Sequence, residues 1–392
     1  MEQWCACLSS FLATCRRHPI LYMFRGTLTK RDDGNLPPPA HGAISAARLT
    51  RLVLLKGPSQ KSGALVYAKA EFQSPGGSVK DRLAAAAANL AGPGGLAEGT
   101  SGSTGISLAM ACASANVPCH VFLPDDAAAE KHALLRALGA NVVALKPVAI
   151  THPDHYVNAA RRRRTLAANN DDKPIFVDQF ETTLNYRTHE RITAPELAKQ
   201  LEQLGHPYGV PHAFVCGCGT GGTMAGMSRY FKRRAAAARV PPPLCVVADP
   251  QGSALVNLVR RGVLYGDNDA EGRRVKHPVD TVVEGVGIGR LTANFAKRSS
   301  CVTEAVRVTD REAADAAHRL LVSDGLLIGS SSAVNVAAAE VVASRLAEQA
   351  RLANAPTPVV VTILCDHGAR HLSKFQCATY MSKIGLPSAG AR

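Results

Sequence analysis

Short apolar runs alternate with Ala-rich segments of helical periodicity along most of the chain. This alternation predicts an α/β fold, with an open, mostly parallel sheet and helices on both of its faces. The predicted strands are residues 64–72, 119–123, 141–145, 213–216, 244–248 and 359–364, and the predicted helices are residues 79–90, 106–115, 131–138, 224–238, 311–323 and 333–350. Ligands of such sheets bind at the carboxyl ends of the strands, so the loops that follow the strands are where we expect chemistry.

The first 38 residues differ from the rest of the chain. Glu2 is the only acidic residue before Asp32, whereas this stretch carries Arg16, Arg17 and Arg25. An acid-poor leader with arginines is typical of a mitochondrial transit peptide, and a disordered extension of a cytoplasmic protein fits equally. A Pro-rich stretch at residues 35–42 marks the boundary with the folded body. We therefore predict an N-terminal extension at residues 1–38, and a surface insertion at the polar, basic residues 158–172.

Composition narrows the class of protein. Hydrophobic residues make up 46% of the 392 residues, which is enough for a sizeable core. The net charge is +14, but the Lys/Arg clusters have no interleaved aromatic residues and no nucleic-acid motif, so we expect no nucleic-acid partner. The 11 cysteines include no CxxC pair, and Cys216 and Cys218 lack the second pair of ligands that a metal site needs, so we expect reduced thiols and no metal. No apolar run is long enough to predict a membrane span.

Lys80 is placed where it can do more than carry surface charge. It follows a Gly-Gly-Ser turn in SPGGSVKDR, residues 74–82, between a predicted strand and a predicted helix. The dipole at a helix start opposes an ammonium group and so favours the neutral amine, the form that makes a Schiff base with a carbonyl compound. Taken alone, a solvated lysine at a helix start explains Lys80 as well.

The loop GCGTGGT, residues 217–223, also connects a predicted strand to a predicted helix. Its glycines let several backbone N–H groups converge in front of a helix N-terminus, which is a phosphate-binding arrangement. Gly217, Gly219 and Gly222 also fit the G-x-G-x-x-G pattern of dinucleotide-binding proteins, with Asp249 as the candidate ribose ligand. The loop by itself leaves a NAD-binding oxidoreductase and a simple phosphate cofactor equally open.

Two further loops place small hydroxyl residues ahead of predicted helices. EGTSGSTG, residues 98–105, presents Thr100, Ser101, Ser103 and Thr104, a set that suits the carboxylate of an amino acid. LIGSSSAVN, residues 327–335, presents Ser331, whose neutral hydroxyl suits a ring nitrogen. An ordinary helix cap explains either loop when it is taken alone.

The four loops together, in this order, resemble the cysteine synthase and cystathionine beta-synthase family of fold-type II pyridoxal-phosphate enzymes. The resemblance covers residues 48–373 and includes LLRALGANVV (134–143), DQF (178–180), EGVGIGR (284–290) and CDHGARHLS (365–373). It implies a fold like that of tryptophan synthase beta, with two open, mostly parallel sheets. It also implies a catalytic domain at residues 39–385, made of two α/β subdomains of which the smaller spans roughly 84–190, and a homodimer.

The resemblance assigns roles to individual residues. It implies that Lys80 holds pyridoxal 5'-phosphate as a Schiff base and handles the protons of the reaction. It implies cofactor binding by Ser103, Gly219, Thr220, Gly221, Gly222, Thr223 and Ser331. It implies substrate binding by Thr100, Ser101, Gly102, Thr104, Gln179 and Gly285. The dinucleotide hypothesis loses weight at this point, because it leaves Lys80 and the Ser331 loop unexplained.

The activity that the resemblance implies is cysteine synthesis from O-acetyl-L-serine and sulfide, with release of acetate, and the implied partners are a small amino-acid substrate and sulfide or a thiol. Alternatives are cystathionine synthesis or dehydration with L-serine, a catalytically weak pyridoxal-phosphate-binding protein, and the NAD-binding oxidoreductase. The chain departs from the family at Ser103, where the family has Asn, and at Cys365, Asp366 and His367, where the family has Pro-Asp-Ser. A serine hydroxyl can still donate a hydrogen bond, but it reaches less far than an asparagine amide.

Overall fold

Two β-sheets organise the protein, which we describe from a computed structural model over residues 42–165, 173–266, 281–296 and 299–388. The predicted extension at residues 1–38 lies outside the described residues. The larger sheet has the strand order β1-β2-β10-β7-β8-β9. Its strands are β1 (Leu52–Leu54), β2 (Leu65–Ala70), β7 (Ala213–Gly217), β8 (Leu244–Pro250), β9 (Glu304–Val308) and β10 (Val359–Leu364). The pairing of β1 with β2 is antiparallel and every other pairing in this sheet is parallel.

The smaller sheet has four parallel strands in the order β5-β4-β3-β6. These strands are β3 (Leu96–Gly99), β4 (Cys119–Pro124), β5 (Asn141–Leu145) and β6 (Ile175–Phe176). A parallel sheet needs a crossover between successive strands, and helices supply these crossovers in both sheets. The α/β class with two mostly parallel sheets is therefore confirmed.

Fourteen helices are present in the described part of the chain. They are α1 (Gly42–Ala46), α2 (Lys56–Ser62), α3 (Lys80–Ala88), α4 (Ser103–Ala115), α5 (Ala129–Ala137), α6 (Tyr156–Thr165), α7 (Thr183–Thr188), α8 (Ala194–Gln203), α9 (Gly222–Ala238), α10 (Leu255–Arg261), α11 (Ala293–Ala296), α12 (Asp310–Asp324), α13 (Ser330–Leu352) and α14 (Ala378–Lys383). A π-helical turn, His189–Thr193, joins α7 to α8. Among the described helices, none combines the length and apolarity needed to cross a bilayer.

The larger sheet has an apolar layer on each face. Successive residues of a strand point to opposite faces, and β10 shows this alternation clearly. Val360 and Leu364 pack into the layer that contains α12 and α13, whereas Val361 and Ile363 pack into the layer that contains α8 and α9. All six residues of β10 are buried, as expected for a central strand of a parallel sheet with helices on both faces.

The predicted strands and helices all have counterparts in the structure, with boundaries that differ by a few residues. The pattern did not predict the strands β1, β3, β6 and β9 or the helices α1, α2, α6, α7, α8, α10, α11 and α14. The surface insertion predicted at residues 158–172 is wrong for residues 158–165, which belong to α6, while residues 166–172 lie outside the described residues. Val157 and Ala160 of α6 are buried, and α6 crosses β3 so closely that a Cβ at Gly99 would lie 2.4 Å from the Val157 Cα. Two small apolar positions among polar neighbours were too weak a signal for a packed helix.

The cysteines of the described residues are free thiols, and several of them are buried, including Cys112, Cys119 and Cys245. The expectation that these three cysteines lie in the core is confirmed. Within the same residues, no group of three or more His, Cys, Asp or Glu side chains is arranged to hold a metal ion.

Candidate active site

The turn before Lys80 is fixed by the residues on both sides of it. The Asp81 carboxylate accepts hydrogen bonds from the Gly76 amide at 2.6 Å and from the Ser107 hydroxyl at 2.5 Å. A Cβ at Gly76 would lie 2.5 Å from Asp81, and Gly77 has a φ of +74°, so both positions require glycine. The Val79 amide donates to the Cys365 carbonyl at 2.8 Å, just beyond the end of β10. Lys80 therefore begins α3 at the carboxyl end of the larger sheet.

A buried ionic network anchors the same helix. The Arg82 guanidinium pairs with Glu71 at 2.6 Å and with Glu196 at 2.8 Å, and the Lys69 ammonium pairs with Glu196 at 2.5 Å. Burial would raise the pKa of Glu71, but the Arg82 guanidinium and the other partners lower it below its ordinary value. The network explains the last residue of the SPGGSVKDR motif, because Arg82 ties the first turn of α3 to the turn that follows β2 and to α8.

The glycine loop between β7 and α9 offers open hydrogen-bond donors. Among the described residues, the backbone amides of Gly219, Thr220 and Gly221 have no hydrogen-bond partner. The Thr220 hydroxyl oxygen accepts from the Asn185 side chain at 3.0 Å and from the Gly222 amide at 3.2 Å, so its own proton is free to point elsewhere. These donors lie at the N-terminus of a 17-residue helix, where an anion is favoured.

Residues from distant parts of the chain hold this loop in place. His189, in the π-helical turn, contacts the Thr223 hydroxyl through Nε2 at 3.2 Å and the Thr193 hydroxyl through Nδ1 at 3.0 Å. Burial and the nearby charges of Arg82 and Lys80 lower the pKa of His189 to about 3, so the ring is neutral at physiological pH. A neutral ring leaves one nitrogen as an acceptor and one as a donor for the two hydroxyl groups.

Asn335 connects the loop to the centre of the larger sheet. Its Oδ1 accepts from the Gly217 amide at 2.6 Å and its Nδ2 donates to the Ile363 carbonyl at 2.8 Å. Asn335 lies on α13, the helix that also carries Ser331 in its first turn. The Asn335 side chain therefore fixes the position of the glycine loop relative to the Ser331 loop.

The Thr100–Thr104 loop is connected to a buried carboxyl group. The Thr104 hydroxyl donates to Gln179 Oε1 at 2.7 Å, and Gln179 Nε2 donates to Glu98 Oε1 at 3.3 Å. Burial, followed by the charge of Asp178, raises the pKa of Glu98 to about 8. Glu98 is therefore mostly protonated at neutral pH, and this end of the loop presents hydroxyl and amide groups rather than an anion.

One cavity of about 220 Å³ collects these loops. The predicted site residues that line it are Lys80, Thr100, Ser101, Ser103, Thr104, Gln179, Gly219, Thr220, Gly221, Thr223, Gly285 and Ser331. Gly102 and Gly222 are the two predicted residues outside the lining. A Cβ at Gly102 would lie 2.4 Å from the Lys131 side chain, and one at Gly222 would lie 2.2 Å from Asn185, so both support the loops from behind.

The cavity also has a wall that the motifs did not predict. We call it the charged wall, and it consists of Lys131, Glu284, Asp366 and His371, all of which line the cavity. Lys131 bonds Glu284, and His371 Nε2 lies 3.1 Å from Asp366 Oδ2. Glu284, Asp366 and His371 belong to motifs that resemble the family. The charges at those positions did not indicate which side chains would contact each other.

Asp249 does not take the position that a dinucleotide would need. The residue is fully buried, and its Oδ2 accepts from the Val256 amide at 2.8 Å at the start of α10. Burial raises its pKa to about 6, and it is not part of the cavity lining. The candidate ribose ligand of the NAD hypothesis therefore bonds the backbone inside the fold and does not face the cavity.

The residues of the cavity fit pyridoxal phosphate. Lys80 Nζ has no hydrogen-bond or ion-pair partner in the described part of the chain. The open amides of the glycine loop suit a phosphate, and the Ser331 hydroxyl suits a pyridine nitrogen. A Cβ at Gly219 would lie 2.1 Å from the Gly285 carbonyl oxygen, so two glycine loops approach each other closely at the cavity.

Comparison with known proteins defines the class. The family model described as "Pyridoxal-phosphate dependent enzyme" matches residues 45–366. The chain therefore belongs to the family of pyridoxal-phosphate-dependent enzymes. The expectation of an enzyme with pyridoxal 5'-phosphate as its cofactor is confirmed.

Individual relatives fall in the same family. The chain is 41% identical to a "Putative mitochondrial cysteine synthase" of Saccharomyces cerevisiae, over 87% of this chain and 85% of the yeast protein. It is 45% identical to "Cysteine synthase 2" of Neurospora crassa, over 83% of this chain and 71% of that protein. A "Cystathionine beta-synthase" of Apis mellifera is more distant, at 31% identity over 82% of this chain and 58% of that protein.

A solved structure shows the same fold. It is described as an O-acetylserine-dependent cystathionine beta-synthase from Helicobacter pylori, and it superposes with a TM-score of 0.65 at 24% identity. The superposition covers 87% of this chain and 99% of that chain.

Proposed function

We propose that this enzyme is a cysteine synthase, which replaces the β-acetoxy group of O-acetyl-L-serine with sulfide to give L-cysteine and acetate. One observation carries the proposal. The unpartnered Lys80 amine shares a cavity with an open phosphate-type loop, the Ser331 hydroxyl and the Thr100–Thr104 loop. The cysteine synthase names of the relatives at 41% and 45% identity support the choice of reaction.

Each part of the cavity has a separate task in this reaction. Pyridoxal phosphate, when bound, supplies the electron sink that makes chemistry at Cα and Cβ of an amino acid accessible. The loop at Gly219–Thr223 binds the phosphate through its amides and hydroxyls. The neutral hydroxyl of Ser331 would bond the ring nitrogen, and the hydroxyl of Ser103 would bond the ring oxygen; both residues line the cavity.

Lys80 has two tasks. Its amine would hold the cofactor covalently, and the same nitrogen would move the proton at Cα of the substrate. Thr100, Ser101, Thr104 and Gln179 bind the substrate carboxylate through hydroxyl and amide groups. Gly285 lines the cavity near the substrate and leaves room for it, because it has no side chain.

The test uses the purified full chain and two lysine variants. The wild type shows the visible absorption band of covalently bound pyridoxal phosphate, and it forms L-cysteine from O-acetyl-L-serine and sulfide. Lys80→Ala loses both. Lys56→Ala is the matched control, because Lys56 also begins a helix but lies outside the cavity, and it keeps both. Absence of cysteine formation by the wild type with its cofactor bound rejects the cysteine synthase proposal.

We also propose a subdomain organisation and an assembly. Residues 39–385 form the catalytic domain, and the part at roughly 84–190, which contains the four strands of the smaller sheet, forms the smaller of two α/β subdomains. Native-state hydrogen exchange in which residues 84–190 open as one unit, separately from the rest of the domain, supports this division. The proposed homodimer is tested by sedimentation equilibrium, where a monomeric mass contradicts it.

Location in the mitochondrion is proposed from the acid-poor leader and from the name of the yeast relative. The full chain and a chain without residues 1–38, each fused to a fluorescent protein, test it. Mitochondrial fluorescence of the full chain and its loss without the leader are expected. Cytosolic fluorescence of the full chain contradicts the proposal.

A further inference from the structure

The charged wall contains a buried histidine that the proposed roles do not use. The His371 side chain is 2% exposed and lines the cavity together with Lys80. Its Nε2 lies 3.1 Å from Asp366 Oδ2. Its Nδ1 lies 3.5 Å from Glu284 Oε2 and has no hydrogen-bond partner among the described residues. A buried nitrogen without a partner at a cavity wall points to a ligand that completes its hydrogen bonding.

The protonation of the neighbouring carboxylates decides which nitrogen of His371 is free. Burial would raise the pKa of Asp366, but the charges of His371, Arg370 and Lys131 lower it to about 2. An ionised carboxylate only accepts hydrogen bonds, so Nε2 carries the proton that bonds Asp366. Nδ1 is then an acceptor in the neutral ring and a donor in the imidazolium.

Other charged groups surround the ring on several sides. Burial would raise the pKa of Glu284, but the Lys131 ammonium and then His371 and Lys374 lower it below its ordinary value. Glu130, at the start of α5, also interacts with the charge on His371. His371 thus lies between anionic and cationic groups. Histidine is the side chain that most readily exchanges a proton near neutral pH.

We propose that His371, oriented by Asp366, exchanges protons with the β-substituent of the amino-acid substrate, which rests on the proposed function. The imidazolium donates its Nδ1 proton to the β-oxygen as the Cβ–O bond breaks with its electron pair on oxygen. The neutral ring then accepts the S–H proton of the incoming sulfide or thiol as the S–Cβ bond forms. One proton passes from sulfur to oxygen, the ring returns to its starting state, and no oxidant or reductant is needed.

Because His371 acts as a general acid in this proposal, its contribution to the rate depends on the leaving group. Acetate leaves as a stable anion and needs little help from an acid, whereas the hydroxyl of L-serine leaves only when it is protonated. General acid catalysis contributes about 10²- to 10⁴-fold in rate. His371 therefore allows the enzyme to use L-serine with sulfide in addition to O-acetyl-L-serine, and removal of His371 affects the two donors unequally.

The experiment compares kcat/KM for both donors in the full-length holoenzyme. With L-serine, His371→Gln lowers kcat/KM by about 10²-fold or more. With O-acetyl-L-serine, it lowers kcat/KM by less than about tenfold, because a stable leaving group depends weakly on the acid. Asp366→Asn also lowers kcat/KM more for L-serine than for O-acetyl-L-serine. His367→Asn is the matched control, because His367 caps a turn in the same motif, and it leaves both activities unchanged.

A second measurement does not depend on turnover. In wild-type enzyme, nitrogen-15 NMR of histidine detects His371 with its proton on Nε2, and Asp366→Asn moves that proton toward Nδ1. A proton on Nδ1 in the neutral wild-type ring overturns the proposal. Equal losses for both donors in His371→Gln, or no turnover of L-serine by a wild type that uses O-acetyl-L-serine, also overturn it. A wild type that uses neither donor rejects the proposed function itself.

Discussion

The Asp81 carboxylate accepts a 2.6 Å hydrogen bond from the Gly76 amide, five residues earlier in the chain. This bond closes the turn that delivers Lys80 to the cavity. The second oxygen of Asp81 accepts from the Ser107 hydroxyl on α4. One buried carboxylate thus joins the lysine turn to the helix that follows the predicted substrate loop.

Substitution Asp81→Ala is expected to destabilise the protein and to displace Lys80. The Gly76 amide loses its acceptor and the Ser107 hydroxyl keeps only its 3.2 Å contact with the Ser78 hydroxyl, and a buried donor without a partner costs about 1–3 kcal/mol. Urea unfolding followed by circular dichroism measures the loss. Asp81→Asn keeps one acceptor oxygen and loses less. Equal stability of Asp81→Ala and the wild type contradicts the role given to this carboxylate.

Arg82→Met is expected to lower the free energy of unfolding by about 3–5 kcal/mol, because the fully buried Glu71 loses its ion-pair partner and Glu196 keeps only Lys69. Arg345→Met is the control. Arg345 pairs with Glu304 at 2.6 Å, but both side chains are partly exposed, so its loss changes stability by less than about 1 kcal/mol. A similar effect of the two substitutions argues against the buried network as the anchor of α3.

Gly219→Ala is expected to weaken cofactor binding. Its Cβ would lie 2.1 Å from the Gly285 carbonyl oxygen, so the two glycine loops must separate. Overpacking of this kind costs about 1–3 kcal/mol, which corresponds to about 5- to 150-fold in the dissociation constant of pyridoxal phosphate. Titration of the apoenzyme with the cofactor measures it. Gly92→Ala, at a glycine with open space around it, leaves the affinity unchanged.

Glu98→Gln is expected to flatten the pH dependence of stability. The pKa of Glu98 is about 8 in the folded state against an ordinary value of 4.5, so the folded protein keeps a proton that the unfolded chain releases. Folding stability therefore falls as pH rises through this window, by up to roughly 1.4 kcal/mol per pH unit for one proton. Glutamine has no proton to release and removes this contribution.

Urea unfolding between about pH 5 and about pH 8 measures the difference between wild type and Glu98→Gln. Glu202→Gln, at an exposed carboxylate, is the control and retains the slope of the wild type. Parallel curves for wild type and Glu98→Gln contradict the raised pKa of Glu98.

Periodicity predicted the α/β class, and motifs predicted the loops of the site, because both depend on residues close together in sequence. Strand β3 escaped prediction. It has four residues, it contains Glu98, and all four are buried. A carboxyl group inside so short a strand resembles a loop in any local pattern. Only the packing of α6 against β3 and the bond to Gln179 account for its burial.

The contacts of the charged wall could not be predicted from local sequence. Lys131 lies 153 positions before Glu284 along the chain, and their pairing depends on how α5 packs beside the loop at Gly285. The sequence around Lys131 does not indicate this contact, because it predicts only an ordinary helix.

The sequence by itself determined which residues begin the key helices and which loops carry glycines and hydroxyls, since turn geometry and helix starts follow from local backbone preferences. Those patterns predicted Lys80, the glycine loop and the Ser331 loop. The tertiary structure alone decided that these loops share one cavity, that Asp249 lies outside it, and that His371 faces it between Asp366 and Glu284. Such contacts depend on the packing of two sheets and their helices, and they arise only when distant segments are buried together.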